Sequence, residues 1–143
     1  MFSYENLKKI LFMFEPEKAH NIAECGLKLL GKCKLLKNYY EKKNFISDER
    51  LHQKIFNVKF ENPVGLAAGF DKNATMVKAM KSMGFGFTEI GTTTPMPQDG
   101  NPKPRMFRYP NEKSVQNAMG FNNLGAHEVL KNLKKVYPFS IPI

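Results

Sequence analysis

Cysteine is scarce in this 143-residue sequence, which holds only Cys25 and Cys33. Eight residues apart on one expected helix, they would stand about 12 Å from each other at 1.5 Å per residue, too far to pair without unwinding it. A disulfide-stapled secreted fold is excluded. Reduced thiols in a reducing compartment are expected, with both cysteines read as packing residues. Long apolar runs are missing too. No stretch reaches the roughly 18 residues a spanning helix needs, and the first residues lack the charged start and apolar core of an export signal. Acidic residues are few, 13 against 22 Lys and Arg, giving a formal charge of +9. Such an excess attracts anions, whether nucleic acid, acidic lipid or a phosphorylated cofactor. Nucleic acid is disfavoured, because lysine and glutamate are mixed along the chain and no RNA-binding or zinc signature occurs. No metal site is expected.

What is present suits one core, with 42% hydrophobic residues. Leu7, Ile10, Leu11 and Phe14 recur at helical spacing from Tyr4 to Phe14, and Met1, Phe2, Phe12 and Met13 widen that apolar face. Pro16 opens a second helix, with Glu17 favouring its first turn and Gly31 able to end it. These helices read equally as a hairpin covering a core and as a surface pair touching lipid. Residues 32–50 are lysine-rich and weakly periodic, and read as a linker.

From Leu51 to Phe60 the alternation predicts a two-strand hairpin turning at Asn57, followed by a buried run from Val64 to Ala68. Asn73 to Ser82 reads as a helix stopped by Gly84, and Phe87 to Ile90 as the next strand. A loop rich in proline and glycine leads to strands over Arg105–Tyr109 and toward Asn117, and then to a helix over Gly125–Val136. Phe139 to Ile143 reads as a strand cut in mid-element, so the chain is expected to be part of a longer one.

Three segments carry chemistry. Gly65-Leu66-Ala67-Ala68-Gly69-Phe70-Asp71-Lys72-Asn73 ends a strand in small residues that would let a flat cofactor lie on the backbone, and then offers an amine for an anion. Glu89-Ile90-Gly91-Thr92-Thr93-Thr94-Pro95 brings hydroxyls to the end of the next strand. Asn117-Ala118-Met119-Gly120-Phe121-Asn122-Asn123 mixes amides and glycine before a helix, which suits a planar polar ring. Each also has a plain structural reading: a tight strand-to-helix turn, threonine as a strand former, and Asn123 as a helix cap. His20 alone reads as a structural histidine, Arg108 as a solvated strand residue, and His52 and His127 as surface residues.

In order and spacing, Gly65 to Lys72, Gly91 to Pro95 and Met119 to Gly125, with the intervening Gly100-Asn101-Pro102-Lys103-Pro104-Arg105-Met106-Phe107-Arg108, resemble the dihydroorotate dehydrogenase family. The front end, Glu15-Pro16-Glu17-Lys18-Ala19-His20 after an amphipathic helix, resembles its quinone-dependent branch. The resemblance implies an α/β fold. Residues 1–45 would be a helical extension forming a membrane-facing quinone entrance, and residues 46–143 the start of an FMN-binding (β/α)8 barrel. It implies FMN contacts at Ala68, Gly69, Phe70, Asp71, Lys72 and Thr92. Substrate contacts would fall at Lys72, Asn117, Ala118, Met119, Gly120 and Phe121, and a quinone tunnel at His20 and Arg108. Dihydroorotate would be oxidised to orotate, with a membrane quinone as final acceptor. Ala118 departs from the family, which often carries arginine there. The catalytic base of the branch would lie beyond Ile143, so the 143 residues alone are expected to be inactive. Peripheral attachment at the cytoplasmic face of a bacterial inner membrane is expected. A soluble-branch enzyme using fumarate or NAD, and a non-catalytic lipid- or partner-binding module, remain alternatives.

Overall fold

The computed structural model describes residues 4–143. Met1 and Phe2, expected to widen the first helix's apolar face, lie outside the described residues. Three helices come first: α1 (Tyr4–Phe12), α2 (Pro16–Lys32) and α3 (Lys34–Asn44). Glu5 in the first turn of α1 and Lys9 in its last suit the helix dipole. Pro16, which has no N–H to lose, sits at the start of α2. Gly31 does not end α2, which runs on to Lys32. A Cβ on Gly31 would come 3.0 Å from the Lys78 Cβ, so glycine here permits a close crossing of helices.

The linker expected over residues 32–50 is largely a helix, α3. Its leucines and lysines are good helix formers, and long-range partners then select the helical state. The Ser82 hydroxyl donates to the Lys37 carbonyl at 3.1 Å, and the Asn44 side-chain amide donates to the Ser82 carbonyl at 2.9 Å. Lys81 lies between Glu41 and Glu61, over the Phe45 ring.

The expected hairpin is present as β1 (Gln53–Ile55) and β2 (Val58–Phe60), antiparallel, with Phe56 and Asn57 at positive φ in the turn. Then come β3 (Gly65–Leu66), a shortened α4 (Val77–Met80) extended by a 3-10 turn over Lys81–Met83, and β4 (Phe87–Thr88). α4 starts later than expected because the Asp71 carboxylate takes the Thr75 and Met76 amides, both at 2.8 Å, and Ala74 is left-handed. Gly84, at φ 99°, ends the turn as expected. β3 and β4 pair in parallel, the strand–helix–strand unit read from the sequence. The hairpin of β5 (Met106–Tyr109) and β6 (Ser114–Asn117) and then α5 (Gly125–Val136) complete the described elements.

The core centres on α4. Met76, Ala79, Met80 and Ile141 pack with Leu27, Leu30 and Phe45, while Ala74, Val77 and Val129 form a second cluster with Ile90 and Leu133. Cys25 is exposed and Cys33 half-buried, both free, so Cys25 is not the packing residue expected. The run from Val64 to Ala68 is not buried as expected, because β3 has a described neighbour on one side only: Val64 is exposed, as are Ala67 and Ala68. No strand forms over Phe139–Ile143, yet the Thr88 amide donates to the Pro142 carbonyl at 3.0 Å, placing that segment beside β4.

Candidate functional site

Parallel pairing sends the C-terminal ends of β3 and β4 to the same side of the molecule. Backbone bonds carry it past the strands: Glu89 donates to the Leu66 carbonyl and Gly69 to the Gly91 carbonyl, both at 2.8 Å. Above these ends lie two adjoining cavities. One, about 370 Å³, lies between the loop Ala68–Asn73 and the inner face of α2, with Met106 and Asn122 on its wall. The other, about 360 Å³, shares Ala68, Gly69, Lys72, Asn117 and Met119 with it.

The two cavities bring together nearly all the residues expected from the sequence. Phe70 and Asp71 line the first, and Thr92, Ala118, Gly120 and Phe121 the second. His20 reaches the first from α2, its ring 4.8 Å from that of Phe70 in an edge-to-face contact. Arg108 does not reach either. It lines a third cavity, about 670 Å³, that meets the first at Glu17, Asn21 and Met106. Its guanidinium donates to the Phe14 carbonyl at 2.9 Å, in the turn after α1, and lies over the ring of Phe12, the last residue of that helix. His127 is exposed as expected, whereas His52 is half-buried, 3.2 Å from the Ser47 hydroxyl.

Lys72 is the cation facing both cavities. Its ammonium donates to the Asn122 side-chain carbonyl at 2.8 Å, bridging the loop after β3 and the loop before α5. Burial pushes its pKa down, aided by the Arg105 charge, while Glu17 pulls the other way. Asp71 is almost fully buried. Burial pushes its pKa up, and the nearby Glu24 charge adds to this, against the amide bonds from Met76 and Thr75. Glu24 itself is held low: burial opposes this, but hydrogen bonds from Lys28 and Thr75 outweigh it. Asn123 is not the expected cap of α5, whose cap position is Leu124; from one residue earlier its side-chain carbonyl accepts from the Gly125 amide at 2.8 Å and from the Thr94 amide at 3.2 Å, tying the loop after β4 to the start of the helix.

Sequence reasoning missed Glu17, Asn101, Arg105 and Asn122 as contributors. All four stand inside the motifs that carry the family resemblance, but without a site role read for them. The Glu17 partner, Arg105, is 88 residues away, and no local pattern links the two.

Parallel strands whose C-terminal ends frame a cavity of small residues and one desolvated amine make this an α/β protein with a pocket where small-molecule sites are commonly built. The comparisons narrow this. The family model for dihydroorotate dehydrogenase matches residues 50–142. The chain is 53% identical over 142 residues to a protein of Sulfurovum sp. named dihydroorotate dehydrogenase (quinone), covering 99% of this chain and 40% of that protein. It is likewise 53% identical to the protein of that name from Sulfurimonas denitrificans, covering 100% and 41%. A crystal structure of Eimeria tenella DHODH in complex with ferulenol matches with a TM-score of 0.64 at 42% identity, over 85% of this chain and 30% of that one. The chain belongs to the dihydroorotate dehydrogenase family and spans about two-fifths of the length of the curated relatives it matches.

Proposed function

We propose that the chain is the N-terminal portion of a quinone-linked dihydroorotate dehydrogenase, which oxidises (S)-dihydroorotate to orotate in de novo pyrimidine biosynthesis. The observation that carries this is the Lys72–Asn122 bridge across a cavity floored by Ala68 and Gly69. A desolvated ammonium gains more from an anion than a hydrated one does, so Lys72 would hold the substrate carboxylate. Asn117 would offer its side chain, and Ala118, Met119, Gly120 and Phe121 their backbone, to the substrate ring.

The same cavity fits FMN. Gly69 sits at φ 100° with nothing within 4 Å of where a Cβ would stand, so a planar ring can approach the backbone there. Ala68 through Lys72 and the Thr92 hydroxyl would hold the group, with Asp71 contributing through its main chain because its carboxylate is committed to α4. When bound, FMN supplies a hydride acceptor and passes electrons on to quinone.

Residues 46–143 would form the start of a (β/α)8 barrel, which needs about 250 residues to close. The proton-removing base would belong to the part of the relatives' length that this chain does not span. Residues 1–45 would form the quinone entrance, with His20 at its inner end and Arg108 supporting α1. No described helix is long and apolar enough to cross a membrane. Exposed Leu7, Ile10, Met13, Phe14, Ile22 and Leu29 on α1, α2 and the turn between them support peripheral attachment, at the cytoplasmic face of a bacterial inner membrane.

The test is the visible spectrum of the complete gene product. Anaerobic dihydroorotate should bleach a flavin band, and a ubiquinone analogue should restore it. A colourless protein would overturn the reading and favour a lipid- or partner-binding module. Restoration by fumarate or NAD alone would assign the soluble branch.

A further inference from the structure

Arg105, the residue before β5, is buried, 7% exposed, and its hydrogen bonds join three pieces of the molecule: α2, the preceding loop and the segment after β6. Toward the helical extension it makes a two-pronged pair with Glu17 on α2, Nη2 to Oε1 at 2.7 Å and Nε to Oε2 at 3.2 Å. Toward the preceding loop, Nη1 donates to the Asp99 carbonyl at 2.6 Å and to the Asn101 carbonyl at 2.9 Å. Its own carbonyl accepts from the Ala118 amide at 2.9 Å. Asn101 completes the link, its side-chain amide donating to the Ala118 carbonyl at 2.8 Å and its backbone amide to the Met119 carbonyl at 3.1 Å.

The two loops touch through glycines. A Cβ on Gly100 would strike the Met119 carbonyl, and one on Gly120 would come 2.8 Å from the Asn101 amide. The two loops pack backbone against backbone at these glycines, with no room for a side chain between them. Position 118, an alanine, offers no side-chain anchor, so the substrate loop is held at this point by main-chain bonds to Arg105 and Asn101.

We propose that Arg105 is a positioning residue that sets both sides of the reaction at once, fixing α2 through Glu17 and the substrate loop 117–121 through Asn101. This rests on the function proposed above. His20 lies one turn along α2 from Glu17, so the register that Glu17 fixes is the register at which His20 meets Phe70. Glu17 is the acceptor-side branch and Asn101 the substrate-side branch. Only the planar guanidinium, with its fixed fork of donors, can serve carboxylate and carbonyls together.

The test uses the complete FMN-loaded enzyme and three variants. Glu17→Gln should raise KM for a ubiquinone analogue roughly tenfold while moving KM for dihydroorotate less than about threefold, because it removes one charged hydrogen-bond partner from one branch. Asn101→Ala should do the reverse. Arg105→Lys should raise both. Glu17→Asp, which keeps the charge, should recover part of the Glu17→Gln loss and remains readable if the glutamine variant folds poorly. Independently of turnover, orotate titrated by calorimetry should bind Asn101→Ala and Arg105→Lys several-fold more weakly than it binds Glu17→Gln, which loses only the Glu17 charge near Lys72. Amide exchange should quicken in α2 for Glu17→Gln and in residues 117–121 for Asn101→Ala. Equal effects of Glu17→Gln on both substrates, or an Arg105→Lys variant that moves only one, would overturn the proposal. A loss common to all variants that follows thermal stability alone would reduce Arg105 to a structural residue.

Discussion

Helices α1 and α3 flank α2, and they are held in different ways. α3 is fastened by buried groups: Ser82, fully buried, donates to one of its carbonyls, Asn44 returns a bond, and Phe45 reaches the Met76–Met80 cluster. α1 spans nine described residues, Tyr4–Phe12, with Arg108 from β5 over its Phe12 ring. It leaves Leu7 and Ile10 exposed, and Arg108 from β5 bonds the turn just after it, at the Phe14 carbonyl. α3 is therefore part of the core, whereas α1 is docked at the rim of the cavity that Phe12 and Arg108 line, which the proposed function makes the quinone entrance. An amphipathic helix that must meet lipid gains from being weakly tied to the protein beneath it.

Four measurements would sharpen or break this comparison. The largest effect should come from Met80→Ala, which empties the core beneath α3 and should cost about 2–5 kcal/mol by chemical denaturation. A smaller cost, about 1–2 kcal/mol, is expected from Ser82→Ala, with amide exchange quickening in α3 but not in α1. Arg108→Ala should cost less than about 1 kcal/mol globally while markedly speeding exchange in α1. If it destabilised the whole protein as much as Ser82→Ala, α1 would be core and the comparison would fail.

The smallest effect is on pH dependence. Hydrogen bonding from Arg105, more than Lys103 or simple charge attraction, holds Glu17 below its ordinary value of 4.5. Its folded pKa is depressed, so the stability it contributes is present above that value and lost as pH falls through the folded one. The melting-temperature gap between wild type and Glu17→Gln should therefore narrow between neutral pH and about pH 3. Asp71, shifted upward mainly by burial, acts in the opposite sense to Glu17 and Glu24.

Local chemistry made part of the fold legible. Asn57 marked the β1–β2 turn, and the periodic run before Tyr137 gave α5 its full extent, because these elements are set by nearest neighbours. α3 was not legible because its helical state is selected by Ser82 and Lys81, dozens of residues away. α4 lost its first turn to the Asp71 side chain, which competes with the helix for the same amides. At the site, small residues and amides in the right order located the cavities. The coupling through Glu17, Arg105 and Asn101 was invisible, because it consists of contacts between segments with no shared pattern.

Central to the account is Lys72 as the cation that holds the substrate across the β3 and β4 ends. The most direct measurement is the single-turnover rate of flavin reduction by dihydroorotate in the complete Lys72→Ala enzyme, at matched FMN occupancy. Loss of roughly a hundredfold or more is the result expected when a half-buried charge beside the reacting anion is removed. A rate equal to wild type would contradict it.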